Sequence, residues 1–410
     1  MASAKACSPP RLRSVFHHAP VDPLRVYADV LVRVGVNLQP GQSLLLTEPF
    51  ELQGVSRAAA PLVDAVIEAA RDLGAGPVEV IWADERRLVA AAQDWPDREF
   101  EGVLTANSRR MLDQVSRRGA LLFLQGSHPR LMDGVPPDRV AHLRERCWRH
   151  YGPIASHLVA GATNWSVAPA PTADWAAAVR PAGDGAHVEP ALERLWRLVF
   201  AACRAETPGA LAAWRAHLGR LARQREELNA RALRALRFRG PGTDLAVHLA
   251  RGHVWCTAAL RSHAGVPFVA NLPTEEVFTA PDRYSAEGYV RVARPVSYGG
   301  SVIDGIELEF RQGEVVRARA RVGQELLWRV LKTDSGSDRL GEAALIVDSA
   351  GPLARSGAWF HHTLLDENSL PHIALGDGYP FSVHDASEPG LNHSLVHVDL
   401  PIEAEVECAS

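Results

Sequence analysis

The sequence predicts an α/β protein: an N-terminal doubly wound parallel-sheet domain followed by a C-terminal β-rich α+β domain. Three observations carry this. Up to about residue 165, short apolar runs bounded by glycine alternate with helical segments of ten or more residues, the pattern of βαβ units around a buried parallel sheet. From Gly242 onward the pattern changes to alternating strands separated by tight turns. The 410 residues suit two domains or three at roughly 150 residues each. A chain of this size needs no disulfide or metal merely to fold.

Each element follows in order. Residues 1–22 carry prolines and histidines without periodicity and are expected to be a flexible N-terminal extension. The α/β domain is placed at 23–190. Residues 24–36 space Leu and Val as a helix does, and Ser43-Leu44-Leu45-Leu46-Thr47 is a short apolar strand. Residues 55–73 are Ala-rich and helical, and Val78-Glu79-Val80-Ile81-Trp82 is a strand. A helix at 108–117, a strand at 120–124 and a helix at 140–148 follow, with a last strand expected at 157–160. Residues 192–238 read as helical throughout, broken near Pro208, because Ala, Leu, Arg and Glu dominate at helix-friendly spacing. A helical connector is therefore set at 191–240. The β-rich domain, 241–410, holds strands at 244–249, 288–293, 302–310 and 315–322 and a helix at 324–332. Turns are expected at Gly240-Pro241-Gly242, Tyr298-Gly299-Gly300 and Gln312-Gly313.

Composition excludes several classes. Lys+Arg is 44 and Asp+Glu 48, a net charge of −4 with only two lysines, Lys5 and Lys332. A nucleic-acid partner would call for a basic excess or stripe, and none is present. The five cysteines are odd in number and widely spaced, with no C-x-x-C pair, so neither a disulfide framework nor a thiolate zinc site is indicated. No apolar run reaches the roughly 18–20 residues that span a bilayer, and no apolar leader segment opens the chain. A soluble, cytoplasmic protein without a membrane partner is expected.

The chemistry concentrates late in the chain. There is no G-x-S-x-G elbow, H-E-x-x-H, Walker A or complete G-x-G-x-x-G motif. Of seventeen histidines, six fall between 361 and 397, at His361, His362, His372, His384, His393 and His397. Asp366, Glu367, Asp377, Asp385 and Asp399 accompany them. Such mixing suggests a metal site of nitrogen and oxygen donors, although a solvated His-rich loop has the same composition. In Leu395-Val396-His397-Val398-Asp399-Leu400 the alternation is strand-like, so His397 and Asp399 share a face. Burying such a pair is costly unless a cation compensates. Asn271-Leu272-Pro273-Thr274-Glu275-Glu276-Val277-Phe278-Thr279-Ala280-Pro281 sets two carboxylates in an apolar segment. It is either a loop with a helix cap at Thr274 or a device holding one Glu toward a buried cation. Glu342 opens a strand, Ala343-Ala344-Leu345-Ile346-Val347, that otherwise looks fully buried. A carboxylate there is a ligand or an ion-pair partner.

These segments resemble the aminopeptidase T, aminopeptidase S and PepS family of dinuclear metallo-aminopeptidases. Four blocks stand in the family's order: 271–281; Leu340-Gly341-Glu342 with the apolar strand after it; Thr363-Leu364-Leu365-Asp366-Glu367-Asn368 with His372-Ile373-Ala374-Leu375-Gly376 and Tyr379; and Asn392-x-Ser394-x-x-His397-Val398-Asp399. The likeness extends to residues 27–40, Leu131-Met132-Asp133-Gly134 and Pro171-Thr172-Ala173-Asp174-Trp175, and so spans about 24–400. One departure is Ser369-Leu370-Pro371 before His372, where the family carries Ala-x-Cys.

The resemblance implies a site for two divalent metal ions, with Glu276, Glu342, His372, His397 and Asp399 as ligands and Glu342 bridging the pair. Glu275 is implied to be a non-ligand neighbour, Glu367 an additional ligand, and Tyr379 a hydrogen-bond donor near the reacting carbonyl. Carboxylates with neutral imidazoles suit Zn, Co or Mn. The implied reaction is hydrolysis of N-terminal residues from peptides by a metal-activated bridging water, in a homodimer. A second reading on the same fold is a ring-cleaving dioxygenase of the 2,5-dihydroxypyridine type, holding one ferrous ion on two His and one Asp. His372, His397 and Asp399 would serve it equally, but it has no use for Glu276 and Glu342. A third is a relative that keeps metal or peptide without turnover.

Overall fold

The computed structural model describes residues 22–94, 97–126, 128–181 and 189–409. The extension expected at 1–22 lies outside the described residues apart from Asp22.

Four strands, β1 (Leu44–Thr47), β2 (Val78–Val80), β3 (Ala120–Gln125) and β4 (Trp165–Pro169), form a parallel sheet in the order β2-β1-β3-β4. Alternation along the strands feeds two separate cores, as a doubly wound sheet requires. Leu44, Leu46, Leu122 and Leu124 pack with helices Pro23–Val30, Ala60–Asp72 and Ala191–Ala202. Leu45, Leu121 and Phe123 pack on the other side with helices Arg98–Ser116 and Pro137–Val159.

The last strand of this sheet is not at 157–160. Those residues lie at the end of helix Pro137–Val159, because Tyr151, Ile154 and Leu158 continue one buried helical stripe past Pro153. The true fourth strand carries Ser166 and Pro169 and so lacks an unbroken apolar run. Expected helix 192–238 is likewise two helices, Ala191–Ala202 and Ala210–Ala230, followed by a strand, Ala235–Gly240. There Leu236 and Phe238 face inward and Arg237 and Arg239 outward. That period of two fits a hairpin with Thr243–His248, and cross-strand pairing overrides helix propensity.

The antiparallel part contains a six-stranded sheet in the order Glu314–Arg319, Glu307–Arg311, Glu287–Arg291, Thr243–His248, Ala235–Gly240, Glu405–Ala409. The expected strand 302–310 divides into Ser301–Ile303 and Glu307–Arg311, which belong to different sheets, with Gly305 at φ 67° turning the chain between them. A second antiparallel sheet holds β5 (Glu276–Thr279), β6 (Leu340–Ile346), β7 (His372–Gly376) and β8 (His397–Pro401), in the order β8-β7-β6-β5. It is this sheet that positions the site.

Candidate metal centre

Register and alternation together sort the side chains of the four-stranded sheet. Residues directly opposite one another share a face. Asp399 stands opposite Ala374, and Ala374 opposite Glu342. His372 pairs with Ala344, Glu276 with Ile346, and His397 with Gly376. All five polar groups therefore project from one face, with Ala344 and Ala374 leaving space between them. The intervening residues, Val277, Ala343, Ile373, Leu375, Val398 and Leu400, fill an apolar core on the reverse face. A register shift between Leu340 and Glu342 re-aims β6 at the site. Gly341 is required there, since a side chain would collide with the Gly376 and Asp377 carbonyl oxygens.

No helix begins at Thr274; the fully buried segment runs straight into β5. Alternation sends the two glutamates apart. Glu276 enters the site, whereas Glu275 turns to Arg204, whose Nη2 donates to its Oε1 at 2.7 Å. His217, with Nε2 donating to the Thr274 carbonyl at 2.7 Å, closes this buried brace.

Distances define two adjoining donor groups. His372 Nε2 lies 3.1 Å from Glu276 Oε2 and 3.4 Å from Glu342 Oε1. His397 Nε2 lies 3.2 Å from Asp399 Oδ1 and 4.0 Å from the other oxygen of Glu342, Oε2. One atom from each of Glu276, Glu342 and His372 falls within 4.8 Å of the others. Glu367, on the short helix Thr363–Glu367, hydrogen-bonds to Asp399. Both imidazoles are aimed from behind: Nδ1 of His397 donates to the Asp377 carbonyl at 2.8 Å and Nδ1 of His372 to that of Leu370 at 3.3 Å. A carbonyl can only accept, so Nε2 of each ring is left for the site.

The electrostatics are those of excess negative charge. Four buried carboxylates face two imidazoles, and Glu276 Oε2 is buried without a hydrogen-bond partner. Desolvation, then the charges of Asp399 and Glu276, push Glu367 well above the usual carboxylate range. Desolvation also raises Glu342, against the opposing pull of His372. Burial alone would lower both histidines. Glu276 and Glu342 nevertheless hold His372 well above 6.5, and Asp399 with Glu342 pushes His397 up to about 10. Asp399 overcomes its own desolvation through His397 and His372 and sits at about 2. A group of this sign and these donors fits divalent cations with mixed oxygen and nitrogen ligation.

The same face floors a cavity of about 60 Å³ that opens to solvent. Tyr379 lines it, stacked on Phe381 at 5.1 Å and 5.3 Å from the His397 ring. Desolvation, then Glu342 and Asp399, push its phenol well above 10, so it stays a hydrogen-bond donor. The other late histidines and acids stand apart. His362 stacks on Trp175 at 4.5 Å, His393 is solvent-exposed, and Asp366 accepts from the Phe360 and His362 amides. The roles of two residues escaped sequence reasoning. Asn368 accepts from the Glu275 amide at 2.7 Å and donates to Glu367 Oε1 at 3.3 Å, tying two site segments together. Asp377 acts through its backbone carbonyl, which leaves no trace in residue type.

A doubly wound domain joined to a sheet whose buried face gathers carboxylates and imidazoles under a cavity is the architecture of a metal-dependent enzyme. The chain belongs to the thermophilic metalloprotease (M29) family, whose model matches residues 22–407. It is 38% identical over 392 residues to aminopeptidase T of Thermus thermophilus, covering 93% of this chain and 92% of that protein. To aminopeptidase 2 of Geobacillus stearothermophilus it is 37% identical, covering 92% and 90%. Superposition on wild-type AmpT from Thermus thermophilus gives a TM-score of 0.83 at 37% identity, over 94% of this chain and 95% of that one. Family membership favours metal-dependent proteolysis over ring cleavage.

Proposed function

We propose that this protein is a metallo-aminopeptidase that removes N-terminal residues from peptides, with two divalent ions at the β5–β8 face. The observation that carries the reading is the pair of Glu342 oxygens, one turned to His372 and the other to His397. One carboxylate thus serves both donor groups. Glu276 and His372 would hold one ion and His397 and Asp399 the other, with Glu342 shared between the two groups and Glu367 available beside Asp399. The donor chemistry suits Zn, Co or Mn. When bound, divalent ions would supply Lewis-acid polarisation of a scissile carbonyl and a water of near-neutral pKa. The protein's own part is orientation and hydrogen bonding. Asp377 and Leu370 carbonyls fix the two imidazoles, and Tyr379, kept protonated, donates to the oxygen that gains charge as the carbonyl is attacked.

Elemental analysis of the purified protein alongside release of leucine from leucine amide tests this. Two equivalents of divalent metal are expected, with activity lost to a chelator and restored by metal. A single iron with oxygen consumption, or full metal occupancy without amide hydrolysis, overturns it. Among the described residues no helix is long and apolar enough to cross a membrane. A homodimer, which rests on the sequence resemblance, and a cytoplasmic location, which rests on composition and cysteine usage, are the remaining parts of the proposal.

Asn368 offers a separate check on the ligand assignment. Asn368→Ala removes the bond to the Glu275 amide and the bond to Glu367 while leaving every ligand in place. Metal affinity is expected to fall about 10–100-fold, the usual effect of losing a group that orients a ligand. Competition against a chromogenic chelator measures it, and unchanged affinity would remove Asn368 from the site.

A further inference from the structure

The cavity has two unlike sides. One is the donor face with Tyr379. The other includes Val159, Trp165, Ala258, Leu260 and Ala270, with Thr257 and Asn271 as its polar members, and among the described residues lining the cavity none is Lys or Arg. This wall comes partly from the parallel-sheet domain. Strand β4 joins the segment leading to Glu276 through Val167 N–H to the Ala270 carbonyl (2.7 Å) and Leu272 N–H to the Val167 carbonyl (2.9 Å). Those bonds carry Trp165, at the head of β4, to the mouth of the site. Its indole is held in place, with Nε1–H donating to the Leu158 carbonyl at 3.2 Å and the ring packed 6.1 Å from Phe268. Ala258 and Ala270, both almost fully buried, leave the depth that a larger side chain would fill.

We infer that this wall is the pocket for the side chain of the substrate's N-terminal residue, and that it selects medium-sized apolar residues and turns away acidic ones. The inference rests on the aminopeptidase reading of the same cavity. Its physical basis is simple. An apolar side chain leaves water against Trp165, Val159 and Leu260. A carboxylate there would be desolvated with no Lys or Arg among the lining residues to pair with.

The test is kcat/KM on the amides of Leu, Ala and Glu, with metal content measured in parallel. Wild type is expected to favour Leu over Ala by about 10-fold or more and over Glu by about 100-fold or more. Trp165→Ala should narrow the Leu:Ala ratio about 10-fold while metal content holds. Leu260→Arg, at a half-exposed position that tolerates change should Trp165→Ala fail to fold, should raise Glu relative to Leu by about 10-fold or more. Comparable rates on all three amides, or ratios unmoved in both variants, overturn the pocket assignment and leave the aminopeptidase standing. A metal-loaded protein that cleaves none of the amides overturns both.

Discussion

Glu342→Ala yields a folded protein that releases no N-terminal residue and holds less metal than the parent. The fold survives because Glu342 contributes charge and not packing. Its strand keeps the ladder to β7 and β5, with Ala343 and Ala344 already alanine beside it. Burial disfavours the Glu342 charge more than its histidine neighbours favour it, so its removal spares a desolvation cost in protein stripped of metal. Thermal unfolding after chelation should therefore occur no lower than in the parent, while the gain in melting temperature on adding metal shrinks. Turnover is a different matter. Both donor groups lose their shared carboxylate at once, and the several kcal/mol that bound ions supply convert to a loss on the order of 10³-fold or more. Full activity in this variant, measured as leucine release, would exclude the bridging role.

Tyr379→Phe separates chemistry from metal binding. The phenyl ring keeps the stack on Phe381 and the contact with His397, so the site's shape and metal content are expected to hold. Only the hydroxyl goes. Losing one donor to a developing oxyanion costs about 10²–10³ in kcat, and that drop should appear with little change in KM or metal stoichiometry. An unchanged kcat would place Tyr379 outside the reaction and make it a wall of the cavity.

Much of the fold was legible because its signals are local. Leu44-Leu45-Leu46 and Ala120-Leu121-Leu122-Phe123-Leu124 announce strands buried on both faces, and helix periodicity between them announces the crossovers. Where a segment carried mixed signals, the reading failed in a consistent way. Residues 165–169 contain Ser and Pro, and 235–240 alternate Leu and Phe with Arg in a stretch of otherwise helix-favouring composition. What makes each a strand is a partner outside the segment: β3 for the first, and for the second the distant Glu405–Ala409 together with the hairpin neighbour Thr243–His248. Residues 157–160 erred in the opposite direction, a strand being expected where buried Ile154 and Leu158 carry the helix past Pro153.

By itself the sequence determined the class of chemistry. Carboxylates and imidazoles at His397-x-Asp399, Glu342 and Glu276 are residue types with few alternatives once buried, and a period of two puts His397 and Asp399 on one face whatever the strand pairs with. Tertiary structure alone decided that Glu275 turns to Arg204, that the two oxygens of Glu342 face different histidines, and that Trp165 from the parallel sheet walls the cavity. The reason is one of range. Side-chain alternation is fixed by bond geometry within a few residues, but register between β5, β6, β7 and β8, and the docking of β4 beside residue 270, depend on contacts between segments tens to a hundred residues apart, which no local pattern encodes.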